Sequence, residues 1–94
     1  MSLTRNAAET IAIDCFTWLV GNEDLLPVFL GSTGASQEDM RSAVSDSDFL
    51  GSVLDFLLMD DAWVIACCDA QSIRYERLAE ARMALPGGEQ RHWT

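Results

Sequence analysis

The feature that most restricts this chain is the stretch Val53-Leu54-Asp55-Phe56-Leu57-Leu58-Met59-Asp60-Asp61-Ala62-Trp63-Val64-Ile65-Ala66-Cys67-Cys68. Its apolar residues do not alternate with polar ones as a half-exposed strand requires. They also do not run on: the longest unbroken apolar segment is the seven residues Ala62 to Cys68, far short of the ~18 a membrane-spanning helix needs. Asp60-Asp61 divides the stretch, and aspartates in that position take up the free N–H groups of a helix start. Two helices therefore follow one another here. The first, about 48–59, places Phe49, Leu50, Val53, Leu54, Phe56, Leu57 and Leu58 inward and leaves mainly Ser52 and Asp55 for solvent. The second is apolar on every side, so it is either central or part of an interface.

In a chain of 94 residues that pair has to form the centre of one small domain. Around it lie four more helical segments. Asn6 with Glu9 opens a segment over about 6–20 in which Ala8, Ile11, Ala12, Cys15 and Leu19 share a face. Asp24 as cap allows Pro27 in the first turn of a segment over about 25–33, closed by Gly34. Ser36 with Asp39 opens a short one over about 37–44, and Ser72 begins the last, about 73–84, with Ile73, Leu78, Ala81 and Leu85 inward. Short connections between such elements fit an all-α fold, a compact bundle or orthogonal array of about six short helices. The domain spans 4–86, and 87–94 reads as a flexible polar tail. A shift of 37 residues lays Glu23-Asp24 over Asp60-Asp61 and Leu25-Leu26 over Ala62-Trp63. This fits two similar three-helix modules, although any two capped amphipathic helices align in this manner.

Charge narrows the function classes. There are 15 acids against 6 bases, a net charge of −9, and before Arg74 the only bases are Arg5 and Arg41. Such a chain does not neutralise phosphates, so nucleic acid is excluded as a partner; a membrane partner is excluded by the lack of an apolar span. Glu23, Asp24, Asp60 and Asp61 are candidates for docking a basic partner, with plain helix capping as the competing explanation. Cys15, Cys67 and Cys68 are odd in number, two are adjacent, and no secretion signal precedes them. They read as small apolar groups in a reducing cytoplasm. The only histidine is His92 in the tail, so neither a metal site nor a cofactor is expected.

Catalytic patterns fail on inspection. Asp46-x-Asp48 imitates the opening of a calcium loop, but Leu50 and Leu57 stand where oxygen ligands are required. Gly31-Ser32-Thr33-Gly34 lacks the lysine of a phosphate cradle. Asp60 and Asp61 diverge on a helix and are explained by capping. The chain is therefore read as no enzyme. What remains is binding. Trp63 and Cys67 share one stripe of their helix and Val64 and Cys68 the next; unless both stripes are covered, these four form an apolar interaction patch. The leading function is a non-enzymatic protein-interaction or regulatory module, its partner another protein or a second copy in a homodimer. The alternative is a carrier holding a small apolar ligand between the first, fourth and fifth helices.

Ala8-Glu9-Thr10-Ile11-Ala12, Trp18-Leu19, Phe49-Leu50 and above all Val53–Asp61 resemble a small alphaproteobacterial family, domain of unknown function 3572, over about 7–86. The resemblance implies a cytoplasmic, cofactor-free helical protein and brings no catalytic residues with it. Where a glycine turn is expected after the Ala62–Cys68 helix, Gln71-Ser72 stands instead.

Overall fold

Among the described residues five helices, α1 (Arg5–Val20), α2 (Leu26–Thr33), α3 (Ser47–Leu58), α4 (Asp61–Gln71) and α5 (Tyr75–Ala84), make up the fold. The computed structural model describes residues 3–34, 36, 38, 40, 42 and 45–85, and no strand occurs among them. The chain is all-α, as its sequence predicts. The short helix expected over 37–44 falls largely outside the described residues, and the tail 87–94 wholly outside them.

The helix starts follow the local chemistry of short polar side chains. Asp46 accepts from the amides of Asp48 and Phe49 at 3.0 and 3.3 Å, and Asp60 accepts from that of Ala62 at 2.9 Å, so two of the predicted caps act as expected. At α1 the cap is Thr4, whose hydroxyl accepts from the Ala7 amide at 3.1 Å, rather than Asn6. Glu9 reaches across to another helix instead. It accepts a 2.6 Å bond from the Ser47 hydroxyl and pairs with Arg5, tying α1 to the start of α3. Before α2 the organising side chain is Asn22, which accepts from the amides of Asp24 and Leu25 at 3.1 and 3.0 Å, not Asp24. Pro27 sits in the first turn of α2, where its missing N–H breaks no bond.

Ser72 does not begin the last helix. It closes α4 in the left-handed region, with φ 58°, while its neighbour Ile73 donates its amide to the Cys68 carbonyl at 2.9 Å. This is the wrap that glycine usually makes, so the turn expected after α4 is present and a serine adopts it. Helix α5 then starts at Tyr75, and the Tyr75 hydroxyl donates to Asp69 at 2.8 Å across the turn.

Helix α3 packs against all four of the others. Leu50, Val53, Leu54 and Leu57 are fully buried on it, met by Ala8, Ala12, Cys15 and Leu19 of α1, Cys67 and Cys68 of α4, and Leu78 and Ala81 of α5. A chain of rings links the elements. Phe16 meets Phe49 edge-on at 5.4 Å, Phe49 meets Phe29 at 5.8 Å, Phe29 meets Phe56 at 5.3 Å, and Phe56 stacks on Trp63 at 4.7 Å. Phe29 is the only fully buried residue of α2, so this helix is held on α3 mainly through one ring. The two helices equated by the 37-residue echo are accordingly packed differently, since α4 lies against α1, α3 and α5.

One predicted solvent position is mostly covered. Asp55 of α3 accepts from Arg82 Nε of α5 at 2.6 Å, with the two side chains 22% and 11% exposed. One turn back on α3 stands Gly51, where an added Cβ would lie 2.9 Å from Arg82 Nη1. The glycine keeps open the space in which the guanidinium lies.

Both local devices can be tested by substitution. Alanine at position 51 gains about 1 kcal/mol of helix propensity but collides with a pinned guanidinium. Gly51→Ala is therefore expected to be neutral or destabilising in the native background and stabilising in an Arg82→Ala background. A urea double-mutant cycle reads the coupling, and strict additivity would show that the two residues do not share space. Ser72→Gly is expected to raise the unfolding free energy by about 0.5–1 kcal/mol, because serine bears the left-handed penalty that glycine escapes; Ser72→Val should lower it.

Candidate functional site

On α4 an apolar residue stands at nearly every position, so periodicity alone leaves its orientation open. The structure settles it. Val64, Cys67 and Cys68 are 9%, 0% and 1% exposed, and Trp63 is half-buried with its ring flat on Phe56. The patch expected from Trp63, Val64, Cys67 and Cys68 is therefore the inner face of α4, turned against α1, α3 and α5. The physical reason is packing: the crevice beside Cys15 and Phe56 admits thiols, a valine and one flat ring.

The other side of α4 is the unexpected one. Ala62, Ile65, Ala66, Asp69 and Ala70 are exposed, Ile65 at 44%, and Met59, just before the helix, is 73% exposed. At 100° per residue Ala62, Ala66 and Ala70 fall on one stripe, with Asp69 and then Ile65 beside it. The recurrence of alanine every fourth residue was the one signal in the sequence that distinguishes this side from the bulkier one.

The acidic candidates occupy two different turns. Glu23 and Asp24 are exposed in the turn between α1 and α2, where with Thr17, Trp18, Gly21 and Asn22 they line an open groove of about 530 Å³. Asp60 uses a carboxylate oxygen to cap α4, and Asp61 lies exposed in its first turn. Capping accounts for Asp60; for the other three, solvent is the surrounding medium.

A second groove, about 410 Å³, runs between the start of α1 and the start of α5, lined by Leu3, Thr4, Ala7, Arg74, Glu76, Arg77 and Glu80. Its two arginines are occupied, Arg74 by Glu76 at 2.9 Å and Arg77 by Glu80 at 3.3 Å. The helix-start amide of Glu76 itself is the larger influence holding the Glu76 carboxyl below its usual range, and Arg74 adds to it.

The three cysteines are free thiols and all are buried. Cys15 of α1 donates toward Cys67 of α4, and that bond, reinforced by burial, keeps Cys15 protonated far above the ordinary thiol range. Burial, followed by the charges of Cys67 and Asp69, pushes Cys68 up to about 11. Among the described residues no group of three histidine, cysteine or carboxylate side chains is arranged to hold a metal ion, and no helix is long and apolar enough to cross a membrane. The space between α1, α3 and α4, where an apolar ligand was envisaged, is filled by Cys15, Leu19, Leu50, Leu54, Leu57 and Cys67, each fully buried.

The thiols supply a test of this placement. Folded Cys68 keeps its proton up to about 11, whereas an ordinary thiol loses it near 9.0. Between those values the unfolded chain binds fewer protons than the fold, so unfolding is favoured as pH rises. The contribution of Cys68 to stability is expected to be level below pH 9.0 and to fall toward pH 11, so the loss over that range should be smaller in Cys68→Ala. The native protein should likewise react with a thiol reagent only as fast as it opens; rapid native labelling of Cys67 or Cys68 would place them outside the core.

No curated protein and no solved structure matches this chain. A family described as Protein of unknown function (DUF3572) matches it over residues 5–88. The match takes in every helix from α1 to α5 and the Val53–Asp61 block on which the resemblance was read, and the chain belongs to that family.

Proposed function

We propose that this protein is a non-enzymatic interaction or regulatory module of the bacterial cytoplasm, and that it binds through the outward face of α4. The observation that carries the reading is the character of that face. Ala62, Ile65, Ala66 and Ala70 are exposed together on one helix, and Met59 is exposed in the turn before it, although the domain has enough apolar residues elsewhere to build its core. Exposed apolar residues grouped on one side of a helix mark association sites more often than scattered single residues do. Small side chains also allow another helix to approach closely. The absence of lysine and arginine from the whole stretch 42–73 leaves that face without the long charged side chains that usually shield a solvated helix.

The competing reading, a carrier of a small apolar ligand, draws no support from the filled space between α1, α3 and α4. An enzymatic reading draws none from Asp60, whose carboxylate is engaged in capping. Three buried free thiols fit a reducing compartment.

Substitution on the two exposed faces tests the proposal. Ala66→Glu should leave the helical content and melting temperature of the protein close to native, because residue 66 is exposed, and should abolish its assembly into any larger complex on native size-exclusion chromatography of cell extract. Ala79→Glu, exposed on α5, should change neither. If both variants and the native chain elute alike as free monomer, the face has no such role.

A further inference from the structure

The inner side of α4 carries nucleophilic groups that the docking role does not use. Cys15 of α1 and Cys67 of α4 are both fully buried and both are free thiols. Where the two helices pack, the Cys15 S–H donates to the Cys67 sulfur. Cys68, the third thiol, stands about 100° further round α4 and takes no part in that bond. Adjacent cysteines on one helix do not readily join each other, because their Cβ vectors diverge. Only the Cys15–Cys67 pairing therefore brings two sulfurs together across the fold.

The two thiols are not equivalent. The hydrogen bond from Cys15 holds the Cys67 thiol below its ordinary range, against the opposing effects of burial and of Asp14, and the same bond keeps the proton on Cys15. A thiolate is the attacking form of cysteine, and a neighbouring thiol condenses with the sulfenic acid that a thiolate forms with peroxide. Burial sets the timing. An oxidant gains access only when α4 opens locally from α1, and reclosure returns Cys67 to Cys15.

We propose that Cys15 and Cys67 form a latent disulfide that hydroperoxide oxidants close, with Cys67 as the attacking sulfur and Cys15 as the resolving one. In the first step the Cys67 thiolate attacks one oxygen of hydrogen peroxide and the O–O bond breaks. The departing hydroxide takes up the proton that Cys67 released and leaves as water, and Cys67 becomes a sulfenic acid. In the second step the Cys15 sulfur displaces hydroxide from the Cys67 sulfur. The S–O bond breaks, the S–S bond forms, and the Cys15 proton leaves with the hydroxide as a second water. Two thiols are oxidised and one peroxide is reduced to two waters. The new bond ties α1 to α4 and encloses α2 and α3 in a covalent loop. Disulfides in a reducing compartment are usually of this transient, redox-sensing kind.

The test treats the reduced intact chain with hydrogen peroxide, in native buffer and in urea, and maps the bonds after free thiols are blocked. Cleavage after arginine separates Cys15, in residues 6–41, from Cys67 and Cys68, in residues 42–74. A Cys15–Cys67 bond therefore joins two peptides, and a Cys67–Cys68 bond joins none. In native buffer the chain should lose two of its three thiols, and the joined peptides should part on reduction, with fragmentation placing the bond at Cys67. Cys68→Ala should form the same bond. In Cys15→Ala the Cys67 sulfenic acid should persist and be captured by dimedone, whereas Cys67→Ala should give no dimedone adduct at Cys15. In urea the bonds should no longer be confined to this pair. A bond placed at Cys68, the same distribution of bonds in native buffer as in urea, or three thiols that survive peroxide in the native chain would each overturn the proposal. The decisive measurement is made on the native chain, so it does not depend on the folding of any variant.

Discussion

A carboxylate on the central helix determines how this domain closes. Helix α3 is apolar nearly all round, and a helix of that kind has to be enclosed. Enclosing it leaves Asp55 mostly covered, and a carboxylate stripped of much of its water is costly unless a cation reaches it. Arg82 is that cation, 2.6 Å away, and it fits only because position 51 carries no side chain. The pairing determines where α5 crosses α3. With α5 in place, Leu78 and Ala81 complete the core against α1. Asp55, Gly51 and Arg82 are meaningful together and unremarkable apart.

The same enclosure gives α4 its two-sided character. Once α1, α3 and α5 have closed over Val64, Cys67 and Cys68, no element among the described residues covers Ala62, Ile65 and Ala66. A peripheral helix with polar outer positions would end there as ordinary solvated surface. On this one Ala62, Ile65, Ala66 and Ala70 share the outer side with Asp69, and each Å² of such apolar surface removed from water is worth about 25 cal/mol. The thiols on the inner side are explained by space: cysteine is small, tolerates full burial and lets α1 and α4 approach where Cys15 meets Cys67.

Much of this was legible residue by residue. Asp46 and Asp60 cap the helices that follow them, and Gly34 takes φ 73° behind α2, because capping is local chemistry between neighbours in sequence. The core residues of α1 and α3 were legible for a similar reason, since a repeat of three and four residues maps directly onto one side of a helix. Where two residues could serve equally well, the nearer reading was displaced: Thr4 caps in place of Asn6, Asn22 in place of Asp24, and Ser72 ends α4 instead of opening α5. Each of these is decided by backbone torsions within one turn.

The orientation of α4 was a different kind of problem. A helix apolar on all faces carries no amphipathic signal, so Trp63, Val64, Cys67 and Cys68 were as plausible a surface as the residues opposite them. What the sequence by itself determined was the set of helices, their caps and the apolar identity of α3 and α4, since all of these depend on interactions over a few residues. Only the tertiary structure decided which side of α4 faces inward, that Asp55 is paired with Arg82 and mostly covered, and that Gly51 makes room for Arg82. Those outcomes depend on contacts between residues some thirty positions apart in the chain (the Asp55–Arg82 pair spans 27), and no local pattern encodes a steric fit between side chains that meet only after the helices have packed.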